Sequence, residues 1–242
     1  LLPTETQQLE ASQRILDYRN KYLPTNQCQH FTPARLPSTT LAQIQSSAER
    51  VFKALKLRDI ARFDGWWDAE RGFILNDINL ISGMEENSFL FKQTGLLGIS
   101  HQQTIELVLE NAYRRYKRPF PSPQPFPSKR TQVAVLFGGK SAERQVSLMS
   151  GRNVWFWLKK SQKYAPTPYF LDQNECVWTL PYPLFLHHTC EEIEQDIAHY
   201  KKTIDTYQSQ ILKTAQRLPT FSPYAPSGGM PACTPLQSWA AQ

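Results

Sequence analysis

The chain has 242 residues, of which 40% are hydrophobic, 12% aromatic and 20% charged. That is enough apolar material for a buried core and argues against wholesale disorder. The net charge of +6 is not spread along the chain: the basic excess lies between residues 119 and 188, between two nearly balanced segments, and because it forms no continuous basic stripe it argues against a nucleic-acid partner. No apolar stretch approaches the roughly 18 uncharged residues that a membrane span requires. At about 150 residues per domain the length amounts to one and a half domains. Together with Leu1 at the start, this leads us to expect a segment of a longer protein.

Four cysteines, Cys28, Cys176, Cys190 and Cys233, stand far apart without a C-x-x-C pair and without histidines at zinc-finger spacing. Four free thiols in a reducing compartment are therefore expected, rather than disulfides or zinc.

From the N-terminus, Leu41, Ile44, Ala48, Val51, Phe52 and Leu55 recur at helical spacing behind Ser38 and Thr39, which predicts an amphipathic helix capped at its start. Residues 60–67 and 73–79, joined by a turn-like Asp68-Ala-Glu-Arg-Gly72, predict a hairpin. Ser100 with Gln103 forms a capping box ahead of a second helix that ends in Arg114, Arg115 and Lys117. Five prolines in residues 119–127 cannot sustain a helix or a sheet and mark a linker. Val133-Ala-Val-Leu-Phe137 suits a buried parallel strand, and Gly138 and Gly139 turn it into a helix. Gly139-Lys-Ser141 is not a P-loop, because its first glycine would have to replace Ala134 inside that strand. After a further strand at 167–171, Thr189 and Glu192 form another capping box. Beyond it a heptad-like stripe (Ile193, Ile197, Tyr200, Ile204, Tyr207, Ile211, Leu218) predicts a long helix, packed on its own domain rather than in a dimeric coiled coil. A Pro-rich stretch with Gly228 and Gly229 closes the chain.

Strand alternation brings Arg62 and Asp64 to one side of the first hairpin strand, and Asp77 and Asn79 to one side of the second. One cation, two carboxylates and an amide then share a sheet face. Opposed carboxylates need a positive charge between them, and hard oxygen ligands of this kind suit Mg²⁺. A surface hairpin in which Arg62 merely pairs with an aspartate is the competing reading.

Ala61-Arg-Phe-Asp64, followed by Phe73-Ile-Leu-Asn-Asp-Ile-Asn-Leu-Ile-Ser-Gly83 and Ser88, resembles the closing part of the D-alanine–D-alanine ligases of the ATP-grasp superfamily. The resemblance extends upstream through Asp17-Tyr18, Lys21-Tyr22 and Thr32-Pro-Ala34, and downstream through Gly98-Ile-Ser-His101. Beyond the linker, residues 133–148 resemble the first strand, turn and helix with which the same family begins. The order is thus end first and beginning second, as at a junction between tandem ligase modules or in a permuted domain.

The resemblance implies an α/β protein. Residues 1–118 would be the α+β C-terminal half of an ATP-grasp ligase domain, 119–128 a linker, and 129–188 a partial α/β parallel-sheet N-terminal domain. An amphipathic helix at 189–218 and a Pro-rich tail at 219–242 would complete it. The family's central nucleotide-binding region has no counterpart in either candidate, so the 242 residues alone are expected to turn over little or no substrate.

The implied reaction is ATP-dependent joining of two D-alanines into D-Ala-D-Ala for bacterial cell-wall peptidoglycan, in the cytoplasm. D-alanine is the implied partner, with neither nucleic acid nor membrane, and a homodimer or a neighbouring ligase module is a further expectation. ATP and one or two Mg²⁺ ions, replaceable by Mn²⁺, are the implied cofactors. By resemblance Asp64, Asp77 and Asn79 hold the metal and Asp77 also meets the nucleotide. Arg62 and the backbone N–H of Gly83 stabilise the oxyanion, and Ser88 binds the carboxylate of the second D-alanine unless it only caps the following helix. Lys21 and Tyr22 sit on a lid over the phosphates and substrate, and Glu143 meets the ammonium of the first D-alanine. Several positions depart from the family pattern: Asp77 stands for glutamate, Leu80 and Ser82 for threonine and proline, and Glu85 for threonine. These departures predict altered acceptor binding, and a catalytically degenerate scaffold or an interaction protein is the alternative.

Overall fold

The computed structural model describes residues 1–8, 28–81, 83–121, 126–197 and 233–235. These fall into two compact units that divide between Phe120 and Pro121, where the proline run begins. Both units mix helices with sheets, as an α/β chain should. The expected lid around Lys21 and Tyr22 lies outside the described residues, as do the heptad stripe beyond Ile197 and most of the Pro-rich tail.

The first unit opens with an antiparallel pair, β1 (Glu5–Gln8) and β2 (Cys28–Phe31). Arg35 grips Glu5 from the side, with Nη2 to Oε1 at 2.7 Å, and its guanidinium lies 3.5 Å from the centre of the Phe31 ring. Helix α1 (Ser38–Ala54) follows; its N-cap is Pro37, so Ser38 and Thr39 are already helical and make no side-chain cap. Leu41 joins Leu2, Ala34 and Leu96 in a small core, flanked by Leu36 and Leu97. The hairpin β3 (Arg62–Asp68) and β4 (Gly72–Asn79) forms as the alternation predicts. Its turn is tied by Asp68, whose Oδ1 accepts from the N–H groups of Glu70 and Arg71. Helices α2 (Phe89–Leu96) and α3 (His101–Arg115) complete the unit. The capping box at Ser100 and Gln103 is present in both directions. Arg115 stands in the last turn of α3, as the sequence predicts, and also clamps Asp59 with two hydrogen bonds of 3.0 and 3.1 Å.

The second unit is built on a sheet ordered β5-β6-β7-β8, with β5 (Thr131–Gly138), β6 (Tyr164–Leu171), β7 (Cys176–Thr179) and β8 (Cys233–Pro235). The expected parallel pairing is that of β5 with β6, whereas β7 and β8 extend the sheet antiparallel. Helix α4 (Arg144–Lys159) crosses over between the parallel strands. At Gly151 a side chain would come within 2.8 Å of the Cβ of Phe137, so this glycine sets how closely α4 approaches the sheet. Phe137, Trp155, Phe170 and Phe185 form an aromatic core, with ring centres 5.0–6.0 Å apart where Phe137 meets Phe170 and Phe185 and where Trp155 meets Phe185. A short helix, α5 (Tyr182–Phe185), and α6 (Cys190–Ile197) close over it. Thr189 caps α6 through the N–H of Glu192, and Glu192 reaches back to the N–H of His188.

Cysteine usage differs from the sequence expectation. Cys176 is disulfide-bonded, and among the described residues Cys190 is the free thiol, fully buried. Sequence spacing carries no information about which cysteines the fold brings together, which is why four free thiols were expected.

Candidate active site

The ladder of β3 and β4 sets the site. Arg62 lies opposite Asn79 and Asp64 opposite Asp77, after which the register shifts so that Gly65 faces Leu75 and Trp66 faces Ile74. The extra residue is Asn76, a bulge. Gly65 permits it, because a side chain there would run into the carbonyl of Ile74 and come within 2.9 Å of the Phe73 ring.

Directly opposed carboxylates repel across a ladder; here Arg62 offsets one charge and Asn79 bridges the pair by hydrogen bonds. Arg62 clamps Asp64, Nε to Oδ1 at 2.9 Å and Nη2 to Oδ2 at 3.0 Å. Asn79 Nδ2 donates to Asp77 Oδ2 at 3.0 Å and reaches Asp64 Oδ2 at 3.5 Å. The N–H of Ile78 donates to Asp77 Oδ1 at 2.9 Å. Arg62 and Asp64 keep 27% and 35% of their side-chain surface in solvent, so the cluster is held in place yet open to a ligand. Carboxylate oxygens retain further lone pairs after these bonds. The two carboxylates are hard oxygen donors that fit a Mg²⁺ ion keeping other positions for water or phosphate, while Asn79 turns its amide N–H to them here.

Past β4 the chain exposes Leu80 and Ile81, runs on through Gly83 and turns at Glu86 and Asn87. The carboxylate of Glu85 folds over Gly83, its Cδ only 3.2 Å from where a side chain on that glycine would begin. The N–H of Ser88 donates to the Glu85 carbonyl at 3.0 Å, and Ser88 is the N-cap of α2 without a side-chain cap bond. Its hydroxyl oxygen is buried and makes no hydrogen bond among the described residues. Ser88 thus stands at the N-cap position without a side-chain cap bond.

The structure thus gathers Arg62, Asp64, Asp77 and Asn79, with Gly83 and Ser88 on the segment that follows. Glu143 belongs to the other unit, exposed at the N-cap of α4 with no side-chain cap bond. Lys21 and Tyr22 lie outside the described residues. Trp66 and Ile74 were missed by sequence reasoning. Their register puts them one step along the ladder on the face of the acids, 61% and 38% exposed. Alternation alone could have placed Trp66 beside Asp64.

Comparison with known proteins agrees with this layout. Residues 3–110 match the family model described as D-ala D-ala ligase C-terminus, and residues 132–224 match that described as D-ala D-ala ligase N-terminus. A D-alanine–D-alanine ligase of Syntrophotalea carbinolica is 37% identical over 99 residues, covering 41% of this chain and 32% of the relative. One from Chlorobium limicola is 33% identical over 109 residues, covering 45% and 30%. D-alanine–D-alanine ligase A of Brucella melitensis is 30% identical over 98 residues, covering 40% and 28%. Each match spans about a third of the relative's length or less. With both models matched, end first and beginning second, the chain belongs to the D-alanine–D-alanine ligase family.

Proposed function

We propose that this chain contributes to ATP- and Mg²⁺-dependent ligation of two D-alanines for peptidoglycan synthesis, in the cytoplasm. The observation that carries the reading is the cluster of Arg62, Asp64, Asp77 and Asn79 on one hairpin face. Mg²⁺-bound ATP, when present, supplies the phosphoryl group that activates the carboxylate of the first D-alanine. Asp64, Asp77 and Asn79 hold its metal and phosphates in fixed positions, so that little reorganisation accompanies the build-up of charge. Trp66 and Ile74, apolar and exposed beside the acids, offer a surface for the base. Arg62, with the N–H of Gly83, stabilises the oxyanion formed when the second amine attacks. The partnerless hydroxyl of Ser88 is free to donate to the acceptor. Lys21 and Tyr22 exclude water from the activated carboxylate, and Glu143 pairs with the first ammonium.

The test is ADP release by the full-length protein in the presence of D-alanine and Mg²⁺. Arg62→Gln is expected to abolish it, and undiminished release by that variant would defeat the assignment. A second reading, a catalytically degenerate scaffold, is favoured by Asp77 being shorter than the glutamate of the family pattern and by the double engagement of Asp64 with Arg62. Absence of any metal-dependent ATP binding would select it.

A further inference from the structure

Helix α4 is buried along one side, through Leu148, Gly151, Arg152 and Trp155, yet its opposite side is not the polar surface that an amphipathic helix turns to water. Val146, Met149, Val154 and Trp157 are 59%, 58%, 49% and 66% exposed, and with the exposed Ser150 and Asn153 they form one stripe at steps of three and four residues. All are uncharged, and the stripe is bounded by Glu143 at the N-cap and Lys160 at the C-cap, both exposed. Lys160 belongs to the same face, since its Nζ stands 4.7 Å from the centre of the Trp157 ring. The stripe is symmetric about the point midway between Gly151 and Arg152. Turned end over end, it puts Trp157 where Val146 stands, Val154 where Met149 stands, Asn153 where Ser150 stands and Lys160 where Glu143 stands.

We infer that this face of α4 docks a second copy of the chain, which meets it through its own α4 running antiparallel about a two-fold axis. Such an interface is isologous, so each contact is made twice. Val146 packs beside Trp157 of the second copy, and Met149 beside its Val154, which removes all four exposed apolar side chains of each copy from water. Charge fixes the direction. Antiparallel pairing brings Lys160 of each copy to Glu143 of the other and sets the helix dipoles head to tail, whereas parallel pairing opposes Glu143 to Glu143 and Lys160 to Lys160. Ser150 and Asn153 meet across the axis, where hydroxyl and amide are each donor and acceptor for the other. A lipid bilayer is the poorer occupant, because the same two side chains would sink among acyl chains that offer them no hydrogen bond. The Glu143 carboxylate has two oxygens, so a lysine at one leaves the other for the ammonium assigned to it above.

The experiment is sedimentation equilibrium on the 242-residue chain, a readout that needs neither nucleotide nor turnover. The apparent mass is expected to climb from the 27.9 kDa of one chain towards twice that value between about 1 and 100 μM, as suits a small interface. Trp157→Glu should weaken association about ten-fold or more and leave the urea midpoint unchanged, since the side chain it replaces is exposed. Lys160→Glu should weaken association about three-fold or more by setting acids together. Adding Glu143→Lys to that variant should restore the wild-type constant, as antiparallel pairing requires. A wild-type chain that stays monomeric over the whole range, a dimer that Trp157→Glu leaves intact, or a charge swap that fails to restore association would each overturn the inference. Flotation of a monomeric wild-type chain with phosphatidylglycerol vesicles would also overturn it, by giving the face to a lipid surface.

Discussion

At the scale of single residues, Arg62 stands in competition with any cation for Asp64. Both carboxylate oxygens of Asp64 already accept from its guanidinium, so a divalent ion that takes their remaining lone pairs does so against the positive charge of Arg62. Arg62→Gln is therefore expected to bind Mn²⁺ several-fold more tightly, followed by electron paramagnetic resonance, while ligation is lost; weaker Mn²⁺ binding would show that Arg62 orients the donors and does not compete for them. Ser88 gives a complementary test. A hydroxyl that caps a helix is worth about 1 kcal/mol, whereas one without a partner is worth little. Ser88→Ala should change urea-unfolding stability by no more than about 0.5 kcal/mol, and a larger loss would return Ser88 to a structural role. The sequence showed the identities of these residues and, through alternation, their shared face. It could not show that the Ser88 hydroxyl is idle or that Glu85 folds back over Gly83, because both depend on a turn whose path local spacing does not encode.

At the scale of elements, the two sheets differ in how they are supported. The β3–β4 hairpin is two-stranded and leaves Trp66, Ile74 and Leu75 exposed, and such ribbons are marginal on their own. The β5–β6 pair is backed by α4 and by the aromatic core around Phe137 and Phe170. Amide hydrogen exchange should be faster in β3–β4 than in β5 and β6; equal protection would mean that α1, which packs against β4, supports the hairpin as well as α4 supports the second sheet. Gly151→Val, which drives a side chain into Phe137, should destabilise the second unit by about 1–3 kcal/mol in urea. The β1–β2 pair carries a pH dependence. The Arg35 guanidinium holds the Glu5 carboxyl below its usual range, so its stabilisation is present above the ordinary carboxylate pKa and fades as pH falls through the lowered value. The stability deficit of Arg35→Gln should accordingly be seen at neutral pH and vanish in acid. The hairpin and the Ser100 capping box were legible because their signals are local. The bulge at Asn76 was not, since a strand pattern counts in twos until packing, here of Phe73 over Gly65, forces an extra residue.

At the scale of the whole molecule, sequence reading separates the chain at its proline run, and the described residues form two compact units. The reversed order of the two family matches was visible because each end of the family pattern carries its own dense motif. Cys176 shows the limit of that approach, since disulfide formation depends on which strands meet. What binds the two halves of the reading together is the hairpin as a metal site, and a direct measurement on the 242-residue chain can decide it. Mn²⁺ titration by electron paramagnetic resonance would compare the wild type with Asp64→Asn, Asp77→Asn and, as a control in the exposed turn of the same hairpin, Glu70→Gln. The expected result is binding weakened about ten-fold or more in each aspartate variant and unchanged in Glu70→Gln. Equal affinity in all four proteins would contradict the assignment of this hairpin as the metal and phosphate site.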